Sequence, residues 1–498
     1  MSVARKIAQN TAIQVGGKLI GTVLSLIAAG FVLRYLGDAG FGKYTTIVAF
    51  LQVFGILMDF GLYIIMIKKL AVLDDNSTKT ASNIFTLRVI SGIGVLALAP
   101  LAAWIISFWN GLYTPEIITS IALTTFFFLF VSLNQLLSGI FQKFLRTDWI
   151  ALAELAGKAV LLFATLNVIW AGLDLIWVMA TRVVSSGTNF LVNFLASRKY
   201  IKLRFTLDWA LTKEIIKEAW PIALSIFFGL MYFKGDTVIL TFFESEQVVG
   251  WYGAPYKILE VMITFPAMFA GLVLPVITNA WKTADTERFR RMLQKSFDAL
   301  SFIAIPMIAG TLVLAPDIIQ VIAGNEFGNS VPILRILIVA AAAIFVGTLF
   351  TYLVVALDKQ RTMIFGYAFA AVTSLVGYFI FIPRYSIYGA AWVTVYSEIA
   401  ILLIALGIVL YTSRVHLSLY RLLKAVLSSA IMFLLLAYLA PVCRDILFSF
   451  ANPTWAAVYT LAIAVPAGGL VYVLLLFLSR GLSIKDVRSL TSLKKNDA

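Results

Sequence analysis

The sequence predicts an all-α, polytopic membrane protein of fourteen transmembrane helices. Three observations support that class. Apolar residues make up 61% of the 498 and charged residues only 13%, against roughly 25% charged in a soluble domain. Hydrophobic runs recur almost evenly from end to end, each long enough at ~1.5 Å per residue to cross a ~30 Å hydrocarbon layer. The basic residues alternate between loops, dense on one side and sparse on the other.

Taken in order, the first runs are 13–33, 44–67, 84–108, 117–140, 149–169, 173–196, 219–243 and 251–277. The remainder are 297–315, 331–357, 362–382, 389–411, 422–439 and 455–478. The first follows Arg5 and Lys6 and reads as an uncleaved signal anchor. Cleavage near Ala28-Ala29-Gly30 would spoil both the even count and the charge alternation. Lys68, Lys69 and Asp74-Asp75-Asn76-Ser77 separate the second run from the third; Asp and Asn there suit a turn or a helix cap. Trp149, Trp220, Trp251 and Trp455 stand at run ends, where aromatic rings favour the headgroup layer. The longest connection, 197–218, carries Arg198, Lys199, Lys202 and Arg204 and is too short for an extramembrane domain. The long eighth run holds Pro255, Pro266 and Pro275, which bend helices or release carbonyls toward a cavity.

The net charge of +14 is a topology signal rather than a nucleic-acid footprint. An even count puts both termini on one side, and assigning that side to the cytoplasm collects most of the 39 Lys and Arg there, Arg288, Arg290, Arg291, Lys494 and Lys495 included. The opposite loops hold only Arg34, Lys43, Arg384 and Arg444. Cys443 is alone, so no internal disulfide forms. No GxxxxGK[ST] loop, HExxH, GxSxG or Cys/His metal set occurs, and no metal or cofactor is expected. The lone His416 sits on a short cytoplasmic loop and reads as a surface residue.

One structure is written twice. Phe41-Gly42-Lys43-Tyr44 and Val249-Gly250-Trp251-Tyr252 open the second and eighth runs in the same phase. Six runs separate them, so both copies share one orientation, a parallel repeat about an axis along the membrane normal. The domains expected are a six-helix lobe over 1–200, a second over 201–415, and a terminal pair with tail over 416–498.

Charges inside spans are the candidate functional residues, because each costs ~2.5–3.5 kcal/mol at a helix centre. Away from the outermost three residues of the runs, the bases are Lys18, Arg88, Lys158, Arg182, Lys234, Lys257 and Arg335. The acids are Asp59, Glu154, Asp236, Glu260 and Glu398. Lys18, Arg88 and Arg335 are shallow enough to snorkel. Glu154 with Lys158, and Lys257 with Glu260, have the spacing to neutralise one another on one helix face. Arg182, Lys234, Asp236 and Glu398 lie deep with no partner at helical spacing, and are expected to line a hydrated cavity or an interhelical contact central to it. An excess of deep cations there favours a multiply charged anion such as a pyrophosphate.

Arg5-Lys-Ile-Ala-Gln-Asn-Thr and Arg34-Tyr-Leu-Gly-Asp-Ala-Gly-Phe-Gly-Lys-Tyr44 resemble the opening of Wzx-type oligosaccharide flippases, in the multidrug/oligosaccharidyl-lipid/polysaccharide exporter superfamily. Lys234-Gly-Asp236, the stretch 249–260 and Leu274-Pro275 are similar to that family's second half. The resemblance implies two six-helix bundles in a V plus an appended helix pair, working by alternating access. It implies a polyprenyl-pyrophosphate-linked oligosaccharide moved from the cytoplasmic to the outer leaflet of the cytoplasmic membrane, by a monomer in contact with membrane lipid. Arg182, Lys234, Arg88, Lys18 and Lys257 would contact the headgroup, and Asp236 and Glu398 would couple transport to Na+ or H+. A lipid II flippase, and a multidrug or cation antiporter of the superfamily, are the neighbouring readings. An antiporter would favour acids over bases in its cavity. A membrane glycosyltransferase would need paired acids in a sizeable outer loop, and the first outer loop has Asp38 alone.

Overall fold

In the computed structural model the described residues are 3–71, 77–144, 146–448 and 451–482. Among them no strand occurs and every long element is an α-helix. Hydrocarbon demands this, because a helix pairs its backbone N–H and C=O groups within one segment. Asp74-Asp75-Asn76 and Lys494/Lys495 lie outside the described residues.

Twelve helices among the described residues are long and apolar enough to cross a membrane, against fourteen runs in the sequence. The first two runs share one element, α1 (Val3–Asp59), interrupted only at Gly37 (φ 66°, ψ −176°). The eleventh and twelfth share a 54-residue element, Gln360–Ser413, interrupted at Ser386 (φ 54°, ψ −136°). Its two arms pack on each other: a Cβ on Gly389 would fall 2.3 Å from the Phe381 carbonyl oxygen, and one on Gly377 3.1 Å from Val393. The outer loops expected at both places therefore shrink to tight breaks.

The second and eighth runs are also split. The second breaks at Phe60 and Gly61, both at positive φ, before α2 (Leu62–Ala71). A Cβ on Gly61 would sit 3.0 Å from the Ala219 carbonyl oxygen, so glycine serves both the conformation and the close approach. The eighth run becomes two helices, Glu246–Met262 and Thr264–Lys282. Pro266 explains the break: it has no N–H for the carbonyl four residues back, at Met262, and its ring collides with that group.

The backbone packs into two compact units, Met1–Gly253 and Ala254–Ala498. In the first, α3 (Ser77–Asn110), α4 (Pro115–Lys143), α5 (Asp148–Trp170), α6 (Leu175–Ser197) and α7 (Trp209–Phe243) join α1 and α2. Helix α4 packs on α3 and α6, α5 on α1 and α6, and α7 on α1, α2 and α3. Helix α7 starts at Trp209 rather than 219 because Asp208 caps it, accepting from the Ala210 and Leu211 amides at 3.0 and 3.1 Å. The extended link before it is fastened to α3: the Arg204, Thr206 and Asp208 amides donate to Ser82 Oγ, Thr86 Oγ1 and Asn83 Oδ1.

The second unit contains α8 (Glu246–Met262) from Ala254 onward, α9 (Thr264–Lys282), α10 (Thr286–Ile322), α11 (Ser330–Ala356), α12 (Gln360–Ser413), α13 (Tyr420–Phe448) and α14 (Pro453–Leu478). Helices α13 and α14 pack together on α10. Two buried aspartates fasten α13 to α10. Asp298 Oδ2 accepts from Arg421 Nη1 at 3.3 Å, and Asp317 takes Arg444 in a fork at 3.0 and 2.5 Å. Asp298 and Asp317 stand roughly 28 Å apart along the helix, close to the ~30 Å hydrocarbon thickness.

Candidate functional site

Helix α6 turns a polar face into the first unit. Ser185 Oγ donates to the Gly157 carbonyl at 2.8 Å and Asn193 Nδ2 to Asn134 Oδ1 at 3.0 Å. Arg182 lies beside this face and is half-buried. Its Nη1 donates to Tyr44 Oη at 2.7 Å, and its guanidinium stacks 4.4 Å from the Phe127 ring centroid and 5.4 Å from that of Tyr44. No carboxylate among the described residues pairs with it. Aromatic faces stabilise a desolvated cation by ~0.5–2 kcal/mol without neutralising it.

The other predicted bases have different surroundings. Arg88 is completely enclosed; it donates to the Asp59 carboxylate, to the Ser132 carbonyl and, at 3.1 Å, to Ser132 Oγ. It ties α1, α3 and α4 together and does not snorkel. Lys18 reaches across from α1 to within 4.0 Å of Glu154 on α5, so Glu154 has a partner besides the expected Lys158. Lys257 and Glu260 form the expected pair along α8, at 2.6 Å. Arg335 Nε donates to the Leu312 carbonyl at 2.9 Å. Lys234 is buried on α7, its ammonium 5.2 Å from the Phe233 ring centroid.

The two deep acids belong to different units. Asp236 is fully buried and accepts from Tyr252 Oη at 2.6 Å, from the Thr237 amide at 2.5 Å and from Thr237 Oγ1 at 3.1 Å. Glu398 is buried on α12. Among the described residues no cluster of three His, Cys, Asp or Glu could hold a metal ion.

The two glycines of the sequence repeat meet in space. A Cβ on Gly42 would fall 1.6 Å from the Glu246 carbonyl oxygen, and one on Gly250 would fall 1.9 Å from that of Asp38. Each glycine thus abuts the carbonyl four residues before the other, a reciprocal contact with local two-fold character. Asp38 Oδ2 seals it, accepting from Gln247 Nε2 at 2.7 Å and Trp251 Nε1 at 2.9 Å. Beside it Lys43 pairs with Glu116 at 2.7 Å. The sequence pattern marks Gly42 and Gly250 only as a repeat and places Asp38 in a loop. The shared glycine phase was the available signal that backbones touch there.

A family model described as polysaccharide biosynthesis protein matches residues 7–281. The chain belongs to this family. Over 412 residues, 77% of this chain and 93% of the relative, it is 24% identical to a putative O-antigen transporter of Shigella flexneri. Over 165 residues, 32% of this chain and 34% of the relative, it is 28% identical to a probable flippase of Haloferax volcanii. Among solved structures, the lipid II flippase MurJ in an inward closed conformation superposes with a TM-score of 0.73 at 16% identity, covering 95% of this chain and 99% of that one. An inward-facing MATE multidrug transporter of the MOP superfamily gives 0.62 at 14% identity, covering 81% and 97%. These structural likenesses establish the fold. Family and fold together make the chain a multi-pass membrane protein whose relatives are transporters and flippases rather than enzymes.

Proposed function

We propose that this protein is an alternating-access flippase that moves a polyprenyl-pyrophosphate-linked oligosaccharide from the cytoplasmic to the outer leaflet of the cytoplasmic membrane for polysaccharide biosynthesis. The observation that supports it most is the family match across residues 7–281, extended by likeness to an O-antigen transporter over most of both chains. Arg182 adds the chemistry: a cation among aromatic rings in a membrane helix favours a multiply charged phosphate headgroup. The likeness to a lipid II flippase is one of fold at 16% identity and selects no substrate.

In this reading Arg182, Lys234, Lys18 and Lys257 are the headgroup-facing bases, and the enclosed Arg88 holds α1, α3 and α4 together. The glycan and pyrophosphate travel in a hydrated path while the polyprenyl tail stays in lipid. Asp236 and Glu398 couple the cycle to Na+ or H+, since a buried carboxylate takes up a cation to offset its own desolvation. Lobes over 1–200 and 201–415, the terminal pair over 416–498, and cytoplasmic termini follow from the repeat and the division of basic loops.

The test is complementation in a strain that lacks its own flippase and makes a defined glycan. Restored surface glycan with the wild-type chain is the expected result. Surface glycan absent despite normal membrane insertion, across several strains of different glycan, overturns the reading.

A further inference from the structure

Tyr44 serves Arg182 in a second capacity. Its hydroxyl oxygen accepts the guanidinium N–H at 2.7 Å. A phenol that accepts one hydrogen bond still has its own proton to donate, and no acceptor among the described residues takes it. The neighbouring cation polarises that O–H and strengthens it as a donor. Arg182 uses one of its five N–H donors on Tyr44, with the rest of its fork uncommitted. Phe127 holds the plane of the guanidinium from one side, 4.4 Å from its centroid, while Phe41 stacks on Tyr44 at 5.2 Å and fixes that ring. Tyr44 and Arg182 are both half-buried, so guanidinium and hydroxyl remain within reach of a ligand.

We propose that Tyr44 and Arg182 form one oxyanion-binding pair, in which the Tyr44 O–H and the Arg182 N–H groups donate together to a phosphate-type headgroup. Phe127 is the positioning residue that keeps the guanidinium aimed. The proposal rests on the flippase reading and adds a direct ligand contact on α1 that the charge pattern could not show. It also explains why a tyrosine occupies this place: phenylalanine would supply the same stacking face but no donor.

The experiment uses the full chain in lipid nanodiscs, with geranylgeranyl pyrophosphate and geranylgeraniol as probes that share a tail and differ in headgroup. Wild-type protein is expected to bind the pyrophosphate more tightly than the alcohol. Tyr44→Phe should weaken pyrophosphate binding about tenfold and leave alcohol binding unchanged. In an Arg182→Ala background the same substitution should change pyrophosphate binding by less than about twofold, because the pair acts as a unit. Phe127→Leu should weaken pyrophosphate binding about fivefold, with Arg182→Lys unable to restore it. If Arg182→Ala loses headgroup preference while Tyr44→Phe binds like wild type, the Tyr44 assignment is overturned and the flippase reading stands. If the wild-type chain shows no preference for the pyrophosphate, both fall. Thermal melting of Tyr44→Phe should match wild type; a fall of several degrees with equal loss for both probes marks a structural role and also overturns the pairing.

Discussion

Placing alanine at position 250 should force α1 and α8 apart. The added Cβ would lie 1.9 Å from the Asp38 carbonyl oxygen and 2.9 Å from its carbon. Non-bonded heavy atoms prefer about 3.5 Å or more, so the two backbones must separate by roughly 1.5 Å. Both obstructing atoms are main chain, and relief requires a helix to move. Overpacking of this kind costs ~1–3 kcal/mol. The separation also takes Gln247 and Trp251 beyond hydrogen-bond range of Asp38; for a partly solvated carboxylate that adds about 1 kcal/mol. The closed crossing should therefore lose about 2–4 kcal/mol. A cysteine pair at positions 38 and 247, in a Cys443→Ser background, reads the distance through a short bifunctional thiol reagent. The pair removes the carboxylate itself, so the assay reports the steric part, a decrease of about 5- to 150-fold in closed population. Gly407→Ala, where an added Cβ meets nothing within 4 Å, is the control and should cross-link as the parent does. Equal cross-linking rates with and without Gly250→Ala would refute the crossing.

Arg182→Ala and Lys234→Ala should each abolish translocation with expression and insertion intact, while Arg182→Lys and Lys234→Arg retain part of it; transport of both alanine variants at wild-type rate would remove these residues from the headgroup path. Asp317→Ala should lower the detergent melting temperature by an amount equivalent to about 2 kcal/mol, below the ~3–5 kcal/mol of a fully buried pair because Arg444 is about a quarter exposed, and adding Arg444→Leu should recover most of the loss. The Lys79 ammonium, then the Leu211 amide, hold the Asp208 carboxyl below the ordinary carboxylate range. A carboxyl lowered on folding contributes stability that is complete above the unfolded value of ~3.9 and is lost as pH falls through the folded one; wild type should therefore lose stability faster than Asp208→Asn below about pH 4, judged by melting curves. A single cysteine at 325 should be labelled from outside the cell and one at 288 should not; the opposite pattern would invert the topology.

Membrane class, helical content and most spans were legible because hydropathy measures the same quantity that hydrocarbon selects, apolar area per helical length. The breaks were less so. Gly37 interrupts one element and Ser386 folds another back on itself in place of a loop, and nothing in composition distinguishes a one-residue break from a short connection. Pro266 was visible, but not which of three prolines would sever the run. Partners were the least legible: Lys257 with Glu260 follows from spacing along one helix, whereas Arg88 with Asp59 needs α1 and α3 side by side. The Asp317–Arg444 pair escaped because both residues fall in predicted loops, where charges attract no notice.

The embedded bases differ in what they would have to give up in order to meet a substrate. Arg88 is enclosed with Asp59 and the Ser132 carbonyl. Withdrawing it would strand the half-buried Asp59 carboxylate, a cost of about 2–3 kcal/mol, below that of a fully buried pair. Lys257 would leave Glu260, half-buried beside it on the same helix. Arg182 would leave only aromatic faces and a phenol oxygen, a loss of ~0.5–2 kcal/mol per face, and it can accept a phosphate without leaving them at all. A transporter must bind and release its headgroup in each cycle, so the base that serves best is one whose resting contacts neither neutralise it nor hold it by a large energy. That criterion singles out Arg182 and assigns Arg88 to holding α1, α3 and α4 together. The two roles separate by experiment: Arg88→Ala should lower thermal stability, and Arg182→Ala should leave stability near wild type while removing transport.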